Sequence, residues 1–213
     1  MKGTQLEAGL LLLVLLLLGW SGVAPRDRLT WWLEVAPVLI AVPLLVATRR
    51  RFRLTPLAYV LIALHAAVLV VGGHWTYAEV PAGFWVQDAL GLARNPYDRL
   101  GHLMQGFTPA IVAREVLVRT SPLRGGRWLS PLVVCVCLAI SAAYEILEWL
   151  VAAATGTAAE AFLGTQGDPW DTQWDMALAG LGAVTALLLL SRLHDRQLAG
   201  LQSAHFSPSG GVR

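Results

Sequence analysis

Six stretches of about 20 mostly apolar residues follow one another along this chain, and they constrain its fold more than any other feature. An α-helix needs about this length to cross the hydrocarbon core of a bilayer. The stretches occupy residues 5–24, 30–48, 57–73, 99–119, 130–153 and 174–192. Because they take up most of the 213 residues, the sequence predicts one all-α transmembrane bundle of about six helices over 1–200, with a disordered tail over 201–213.

The composition agrees with a chain whose main solvent is lipid. Apolar residues make up 56% of the sequence and charged residues 14%, whereas a soluble domain carries about 25% charged residues. The net charge is only +2, and no basic patch with interleaved aromatic residues is present. Nucleic-acid binding is therefore excluded, and membrane lipid is the expected partner. The oligomeric state cannot be inferred from the sequence.

The first stretch has two interpretations. It follows Lys2 and is rich in leucine, as the hydrophobic part of a cleaved signal peptide would be. Its apolar run from Ala8 to Ala24 lacks a clear small-x-small cleavage site. We therefore expect it to be a retained membrane helix.

The positive charges predict the orientation of the bundle. With six spans, 12 of the 16 Lys and Arg residues fall on one side of the membrane: Lys2, Arg49, Arg50, Arg51, Arg53, Arg114, Arg119, Arg124, Arg127, Arg192, Arg196 and Arg213. The other four fall on the opposite side: Arg26, Arg28, Arg94 and Arg99. Positive charge marks the cytoplasmic side, so we expect a multi-pass protein of a bacterial inner membrane with both termini in the cytoplasm.

The acidic residues have the opposite distribution. Eleven of the 14 lie in the predicted outer half: Asp27, Glu34, Glu79, Asp88, Asp98, Glu145, Glu148, Glu160, Asp168, Asp171 and Asp175. An excess of acidic residues in the outer half is expected in part because most Lys and Arg residues lie on the cytoplasmic side. The spacing of some of these residues indicates a more specific role.

Pairs of ionisable residues share one helix face in two of the predicted spans. Asp98 and His102 are four residues apart at the start of the fourth span, and Glu145 and Glu148 are three apart in the fifth. Asp171 and Asp175 lead into the sixth span. All three groups fall at a similar predicted depth, so we expect these six side chains to meet in one site.

A cluster of like charges at membrane depth needs neutralising. Each ionisable group costs about 2.5–3.5 kcal/mol on insertion scales, and neighbouring carboxylates repel one another. Either a bound cation or protons shared among the carboxylates would relieve this cost. Imidazole and carboxylate oxygens are ligands for Zn²⁺, Mn²⁺ or Fe²⁺, and oxygens alone suit Mg²⁺ or Ca²⁺. The sequence thus predicts a divalent metal ion as a cofactor, or a proton-coupled site. Asp171 also has a simpler interpretation as a helix-capping residue.

Three segments resemble a known family. The sequences YDRLGH at Tyr97–His102, YEILEW at Tyr144–Trp149 and GDPWDTQWDM at Gly167–Met176 resemble the YjdF-like inner-membrane proteins, a domain family of unknown function. The resemblance covers residues 30–192 and implies a multi-helix inner-membrane fold, but it supplies no reaction. More distantly, the order of the acidic motifs is similar to that of the VanZ-like membrane proteins, although the arginine those proteins carry between the last two motifs is absent.

Three functions are compatible with an outward-facing site of this kind. The first is a metal-dependent enzyme acting on a lipid or lipid-linked substrate, in which Glu145 and Glu148 serve as both ligands and catalytic carboxylates. The second is a carrier driven by protons or cations. The third is a non-catalytic binding or assembly protein whose outward-facing acidic site recognises a cationic group.

Overall fold

The computed structural model describes residues 2–123, 126–156 and 160–206, and every regular element within these ranges is helical. In chain order the helices are α1 (Lys2–Ser21), α2 (Arg28–Thr48), α3 (Pro56–Trp75), α4 (Pro81–Leu90), α5 (Tyr97–Thr120), α6 (Leu129–Thr155), α7 (Glu160–Leu163) and α8 (Asp171–Phe206). A short 3-10 turn, Tyr77–Glu79, precedes α4. The all-α membrane fold predicted from the sequence is confirmed.

Five of the six predicted spans lie in helices that are long and apolar enough to cross a membrane, namely α1, α2, α3, α6 and α8. The sixth, 99–119, coincides with α5, whose 24 residues extend about 36 Å at 1.5 Å per residue. Helix α5 is long enough, but it contains too many polar residues to be counted with the five apolar helices. Because α5 packs against α3, α6 and α8, its polar side chains have other helices rather than lipid as neighbours.

The long helices alternate in direction. At one end of the bundle, Glu7 of α1 accepts a 2.5 Å hydrogen bond from Arg49, which follows α2. At the same end Glu115, near the end of α5, contacts both Thr55 before α3 and His194 of α8. We call this the basic end, and the opposite end, where α2, α5 and α8 begin, the acidic end. The first and last described residues both lie at the basic end, as two termini on one side of the membrane require.

Two glycines allow α5 and α8 to form the closest helix pair of the bundle. Gly106 of α5 lies against the backbone of Ala179, and Gly182 of α8 lies against the carbonyl group of Leu103. A Cβ atom at either glycine would collide with that backbone. Gly180, two residues before Gly182, packs instead beside a leucine of α6. The short distance between α5 and α8 brings their acidic residues together.

An apolar layer fills the middle of the bundle. Its buried residues include Ala110, Ile111, Val133, Cys137, Ala183, Ala186 and Leu187. The two cysteines point to different sides, as expected from their spacing, because Cys135 is exposed and Cys137 is buried. This layer separates the polar groups of the acidic end from those of the basic end.

A buried polar network holds the basic end together. Glu115 has no exposed surface and accepts hydrogen bonds from Arg119 at 2.7 Å and from His194 Nε2 at 3.1 Å. Arg114 donates to Nδ1 of His194, so the imidazole is the neutral tautomer with its proton on Nε2. Glu115 and Arg119 are thus an ion pair four residues apart on α5. Arg114 is buried as well, and its second nitrogen contacts Asp195 at 2.7 Å.

The last helix is longer than predicted, and the segments that connect the long helices contain short helices. Helix α8 continues to Phe206, six residues past the predicted domain end at 200, and the rest of the predicted tail lies outside the described residues. The connection between α3 and α5 contains the short helix α4, and that between α6 and α8 contains the short helix α7.

Candidate metal centre

Asp98 and His102 lie on one face of α5 and are both buried. The Nε2 atom of His102 is 3.4 Å from Oδ1 of Asp98. The other ring nitrogen, Nδ1, lies 3.2 Å from the side-chain oxygen of Gln105, one turn further along the helix. The predicted pairing of Asp98 with His102 is confirmed.

Helix α6 turns its two glutamates toward that histidine. Glu145 and Glu148 are buried, whereas the apolar residues Ile146, Leu147 and Trp149 between and beside them are exposed to the surroundings of the bundle. The Oε1 atom of Glu145 is 3.8 Å from Nδ1 of His102. The three-residue spacing thus produces the shared buried face that the sequence indicated.

Helix α8 supplies the third predicted group. Asp175 is buried, and its Oδ2 atom lies 3.8 Å from Nε2 of His102. Asp171 is buried as well, in the first turn of the helix. The close approach of α8 to α5 at Gly106 and Gly182 explains why these two aspartates reach the histidine face of α5.

Two overlapping groups of side chains have the spacing of metal ligands. Asp98, His102 and Asp175 form one group, and His102, Glu145 and Glu148 form the other. Within each group the ligand atoms lie within 4.8 Å of one another, and all the residues are buried. Asp171, which the sequence also suggested as a ligand, belongs to neither group.

Two arginines, Arg94 and Arg99, are part of this cluster. In the sequence they contributed only to the predicted orientation of the bundle. Arg94 binds Asp171 and Asp98, the latter at 3.1 Å, and donates to the backbone carbonyls of Gly164 and Thr165. Its spacing of four residues from Asp98 was a signal in the sequence for this ion pair. Arg94 therefore fastens the segment before α8 onto the start of α5.

Arg99, five residues further along the chain, also binds aspartates of α8 and of the segment before it. Its guanidinium nitrogens contact Asp168 at 2.8 Å and Asp175 at 3.1 Å, and one of them lies 3.2 Å from Asp171. Asp168 also accepts a hydrogen bond from the backbone N–H of Trp170, as a turn residue does. The aspartates of α8 thus have arginine partners.

Glu34 of α2 is another member of the cluster that sequence reasoning did not select. It is buried and accepts a 3.2 Å hydrogen bond from the hydroxyl group of Tyr144 in α6, and Tyr77 is a second donor. Burial raises the pKa of Tyr77 well above its ordinary value. The phenol therefore keeps its proton and can donate a hydrogen bond to Glu34. Glu34 is a single acid in an apolar stretch, so no spacing pattern identified it.

The acidic end carries more negative than positive groups. Seven carboxyl groups converge there: Glu34, Asp98, Glu145, Glu148, Asp168, Asp171 and Asp175. The positive groups facing them are Arg94, Arg99 and, when protonated, His102. Even with all three charged, ionised carboxylates would leave an excess of four negative charges, which protons or a cation must offset.

One oxygen in the cluster is unsatisfied. Oε1 of Glu145 is buried and has no hydrogen-bond partner. Leaving a buried acceptor without a partner costs about 1–3 kcal/mol, and more when the group is charged. A cation at this position would remove that cost. The residues present therefore fit a metal ion in their chemistry and in their spacing.

A partly open cleft of about 190 Å³ lies between α6 and the start of α8. Its walls are formed by Glu145, Glu148, Trp149, Ala152, Leu163, Thr165, Asp171 and Thr172. Two members of the second ligand group, Glu145 and Glu148, therefore line the cleft. His102, Asp98 and Asp175 do not line it.

Two further ionisable residues at the end of α3 and just after it have partners outside the cluster. His74 stacks on Trp20, and its Nδ1 atom lies 3.0 Å from the carbonyl oxygen of Ser21. Glu79 pairs with the exposed Arg26 at 2.5 Å. Neither residue belongs to the two groups with metal-ligand spacing.

Comparison with known proteins agrees with the resemblance seen in the motifs. A family model described as "Predicted membrane protein (DUF2238)" matches residues 6–196. The chain is 56% identical over 198 residues to the inner membrane protein YjdF of Escherichia coli (strain K12), covering 93% of this chain and 94% of that protein. No solved structure matches the chain. The distant similarity to VanZ-like proteins stays a prediction.

Proposed function

Because the chain belongs to the DUF2238 family of inner-membrane proteins, whose description specifies no reaction, we propose a function from the geometry of the acidic end. The protein is a membrane-embedded, metal-dependent hydrolase that acts at the outer face of the membrane on a lipid or lipid-linked substrate. The observation that carries this proposal is the buried, unsatisfied Oε1 of Glu145. Glu145 forms a metal-ligand group with His102 and Glu148, and both glutamates line the cleft.

The two ring nitrogens of His102 have different roles in this proposal. Nε2 faces Asp98 at 3.4 Å, and a carboxylate on one nitrogen commonly orients a histidine whose other nitrogen binds a metal. Nδ1 then faces Glu145. The ligands are therefore His102, Glu145 and Glu148. Asp98 orients the imidazole, while Asp175, like Asp98, is already paired with an arginine.

Three protein ligands are typical of a catalytic metal site rather than a structural one. Catalytic zinc sites bind three side chains and keep one position for water or substrate. One imidazole and two carboxylates suit Zn²⁺, Mn²⁺ or Fe²⁺. The cleft between α6 and α8 provides the space for that remaining position.

A divalent ion held by these residues would supply the chemistry for hydrolysis, because it lowers the pKa of water and polarises the substrate. The free carboxylate oxygen of Glu148 or Glu145 would accept one proton from the attacking water, whose oxygen would bond to the phosphorus or carbonyl carbon of the substrate. The bond from that atom to the leaving group would break, and the carboxylate would return the proton to the leaving group. One water would be consumed, and the carboxylate would regain its starting state.

Elemental analysis of the purified full-length protein tests the metal requirement. We expect about one equivalent of Zn, Mn or Fe per chain, or saturable uptake of added Mn²⁺ with this stoichiometry. His102→Ala and Glu145→Ala should lose the ion. Asp88→Ala removes an exposed carboxylate at the same end and should retain it. A wild-type protein that is folded and binds none of these metals contradicts the proposal.

A proton-coupled carrier is the second candidate, and one observation favours it: Glu115 and His194 form a further buried ionisable pair at the basic end. A carrier needs polar groups that connect the two ends. His102 and Glu115 are about 20 Å apart along α5, and the apolar layer with Ile111 and Leu187 lies between the ends. This layer supports the enzyme over the carrier. Proteoliposomes that show pH-driven flux abolished by Glu115→Gln would reverse that ranking.

A further inference from the structure

The cleft between α6 and the start of α8 also indicates what kind of molecule reaches the metal site. We propose that the substrate is a lipid-borne phosphate ester whose headgroup enters this cleft sideways from the membrane while its hydrocarbon tail remains between the lipids. This inference rests on the proposed metal site and specifies its substrate class and its route of entry.

The walls of the cleft divide into a polar and an apolar part. The polar lining consists of Glu145, Glu148 and Asp171 together with the hydroxyl-bearing Thr165 and Thr172. Trp149, Ala152 and Leu163 line the remaining part. Trp149 is largely exposed on the outside of α6, where an indole ring is typical of the membrane interface. The cleft thus leads from a lipid-facing surface to the proposed ligands.

The size of the cleft limits what can enter it. Its volume of about 190 Å³ is of the same order as that of an engineered protein cavity of about 150 Å³ that binds benzene. That space accommodates a phosphate group with a few neighbouring atoms, but it does not accommodate acyl or isoprenoid chains. A lipid bound here would therefore keep its tail outside the protein, against the exposed residues beside Trp149.

The segment before α8 restricts entry from the aqueous side. Arg94 holds the carbonyl groups of Gly164 and Thr165, and the amide of Gln166 exchanges two hydrogen bonds of 3.0 Å with the backbone of Asn95. These contacts fix the segment across the beginning of α5. The opening between α6 and α8 is consequently the route that does not require these bonds to break.

Charge determines which headgroup fits once the ion is present. A divalent cation offsets the charges of Glu145 and Glu148, and Arg94 offsets that of Asp171. The remaining coordination position then attracts a phosphoryl oxygen, and the hydroxyl groups of Thr165 and Thr172 can donate to its other oxygens. Without the ion, the carboxylates repel a phosphate. Lipid binding should therefore depend on the metal.

Photocrosslinking of the full-length protein in vesicles tests this inference. The probe is a phosphatidic acid with a diazirine close to its headgroup, present as a minor component of phosphatidylethanolamine vesicles, with and without Mn²⁺. We expect Mn²⁺-dependent crosslinks to the peptides that contain Trp149–Ala152 and Leu163–Thr172. Ala152→Trp fills the cleft and should reduce these crosslinks about tenfold, equivalent to about 1.4 kcal/mol of binding. Ala153→Trp adds the same ring at the exposed neighbouring position and should not reduce them.

The possible results separate this inference from the metal site itself. Mn²⁺ uptake should be the same in the wild type and in both tryptophan variants. If Mn²⁺ binds but the cleft peptides are not labelled, or if Ala152→Trp leaves the labelling unchanged, the lipid route is wrong and the metal site stands. Labelling that inorganic phosphate suppresses but Ala152→Trp does not would assign the site to a soluble phosphate and also overturn the inference. If no Mn²⁺ binds, the proposed function itself fails.

Discussion

His102 is the residue on which the acidic end depends, because its two ring nitrogens face different carboxylates. Asp98 and Asp175 lie near Nε2, and Glu145 lies near Nδ1. His102 belongs to both groups of possible metal ligands, and one imidazole cannot be a ligand in both groups in the same way. Asp98 and Asp175 already have arginine partners. In the proposed site these aspartates therefore have a positioning role, and Glu145 and Glu148 are the proposed carboxylate ligands.

Asp98→Asn tests the positioning role of Asp98. An amide in place of the carboxylate weakens the orientation of the imidazole, and loss of such a partner typically lowers metal affinity 10–100-fold. We expect a Mn²⁺ titration to show this loss with unchanged stoichiometry, whereas His102→Ala abolishes binding. Asp88→Asn, at an exposed site, is the control. Asp98→Asn binding Mn²⁺ as tightly as the wild type would show that Asp98 does not act through the histidine.

Arg94→Gln tests whether the arginines hold the cluster together. The variant removes the cation that Asp98 and Asp171 share, leaving Asp171 with Arg99 and Asp98 with His102. Removing one partner of a buried pair costs up to about 3–5 kcal/mol. We expect a clear fall in the midpoint of thermal unfolding in detergent. Arg26→Gln breaks an exposed pair with Glu79, worth at most about 1 kcal/mol, and should change the midpoint little. Equal effects of the two variants would contradict the structural role of Arg94.

At the scale of the helices, the separation of α5 and α8 determines whether the site exists. Gly106→Ala places a methyl group into the backbone of Ala179, which has no flexible end that could move aside. Overpacking of this kind costs typically about 1–3 kcal/mol, and the displaced helices would separate Asp175 from His102. We expect lower thermal stability together with weaker Mn²⁺ binding.

The matched control is Gly19→Ala in α1, where an added Cβ meets no atom within 4 Å. Alanine is the better helix former by about 1 kcal/mol, so this variant should be as stable as the wild type or slightly more stable. Wild-type stability and Mn²⁺ affinity in Gly106→Ala would mean that the close contact of α5 and α8 does not position the site.

The helices and most of the site could be predicted from the sequence, because apolar length and helical spacing are local properties. Length and hydropathy identified the spans, and the three- and four-residue spacings identified Asp98, His102, Glu145 and Glu148. The partners of these residues were not predictable in the same way. The contact of Arg99 with Asp168 and that of Tyr144 with Glu34 join residues far apart in sequence, and they depend on how the helices pack.

In the whole molecule, two buried polar clusters occupy opposite ends of one bundle and an apolar layer separates them. The basic end is internally satisfied, since Glu115 has hydrogen bonds from α5, α8 and the start of α3. The acidic end has an excess of carboxylates and an unpaired oxygen. This asymmetry is the reason to assign the chemistry to the acidic end and a structural role to the basic end.

X-ray absorption spectroscopy of the metal-loaded full-length protein tests the central claim most directly, because it reports the atoms bound to the ion. The account predicts one imidazole and carboxylate oxygens in the first shell of bound Zn²⁺ or Mn²⁺, with the imidazole signal lost in His102→Gln and retained in His74→Gln. A shell without imidazole in the wild type, or an imidazole signal that survives in His102→Gln, would contradict it.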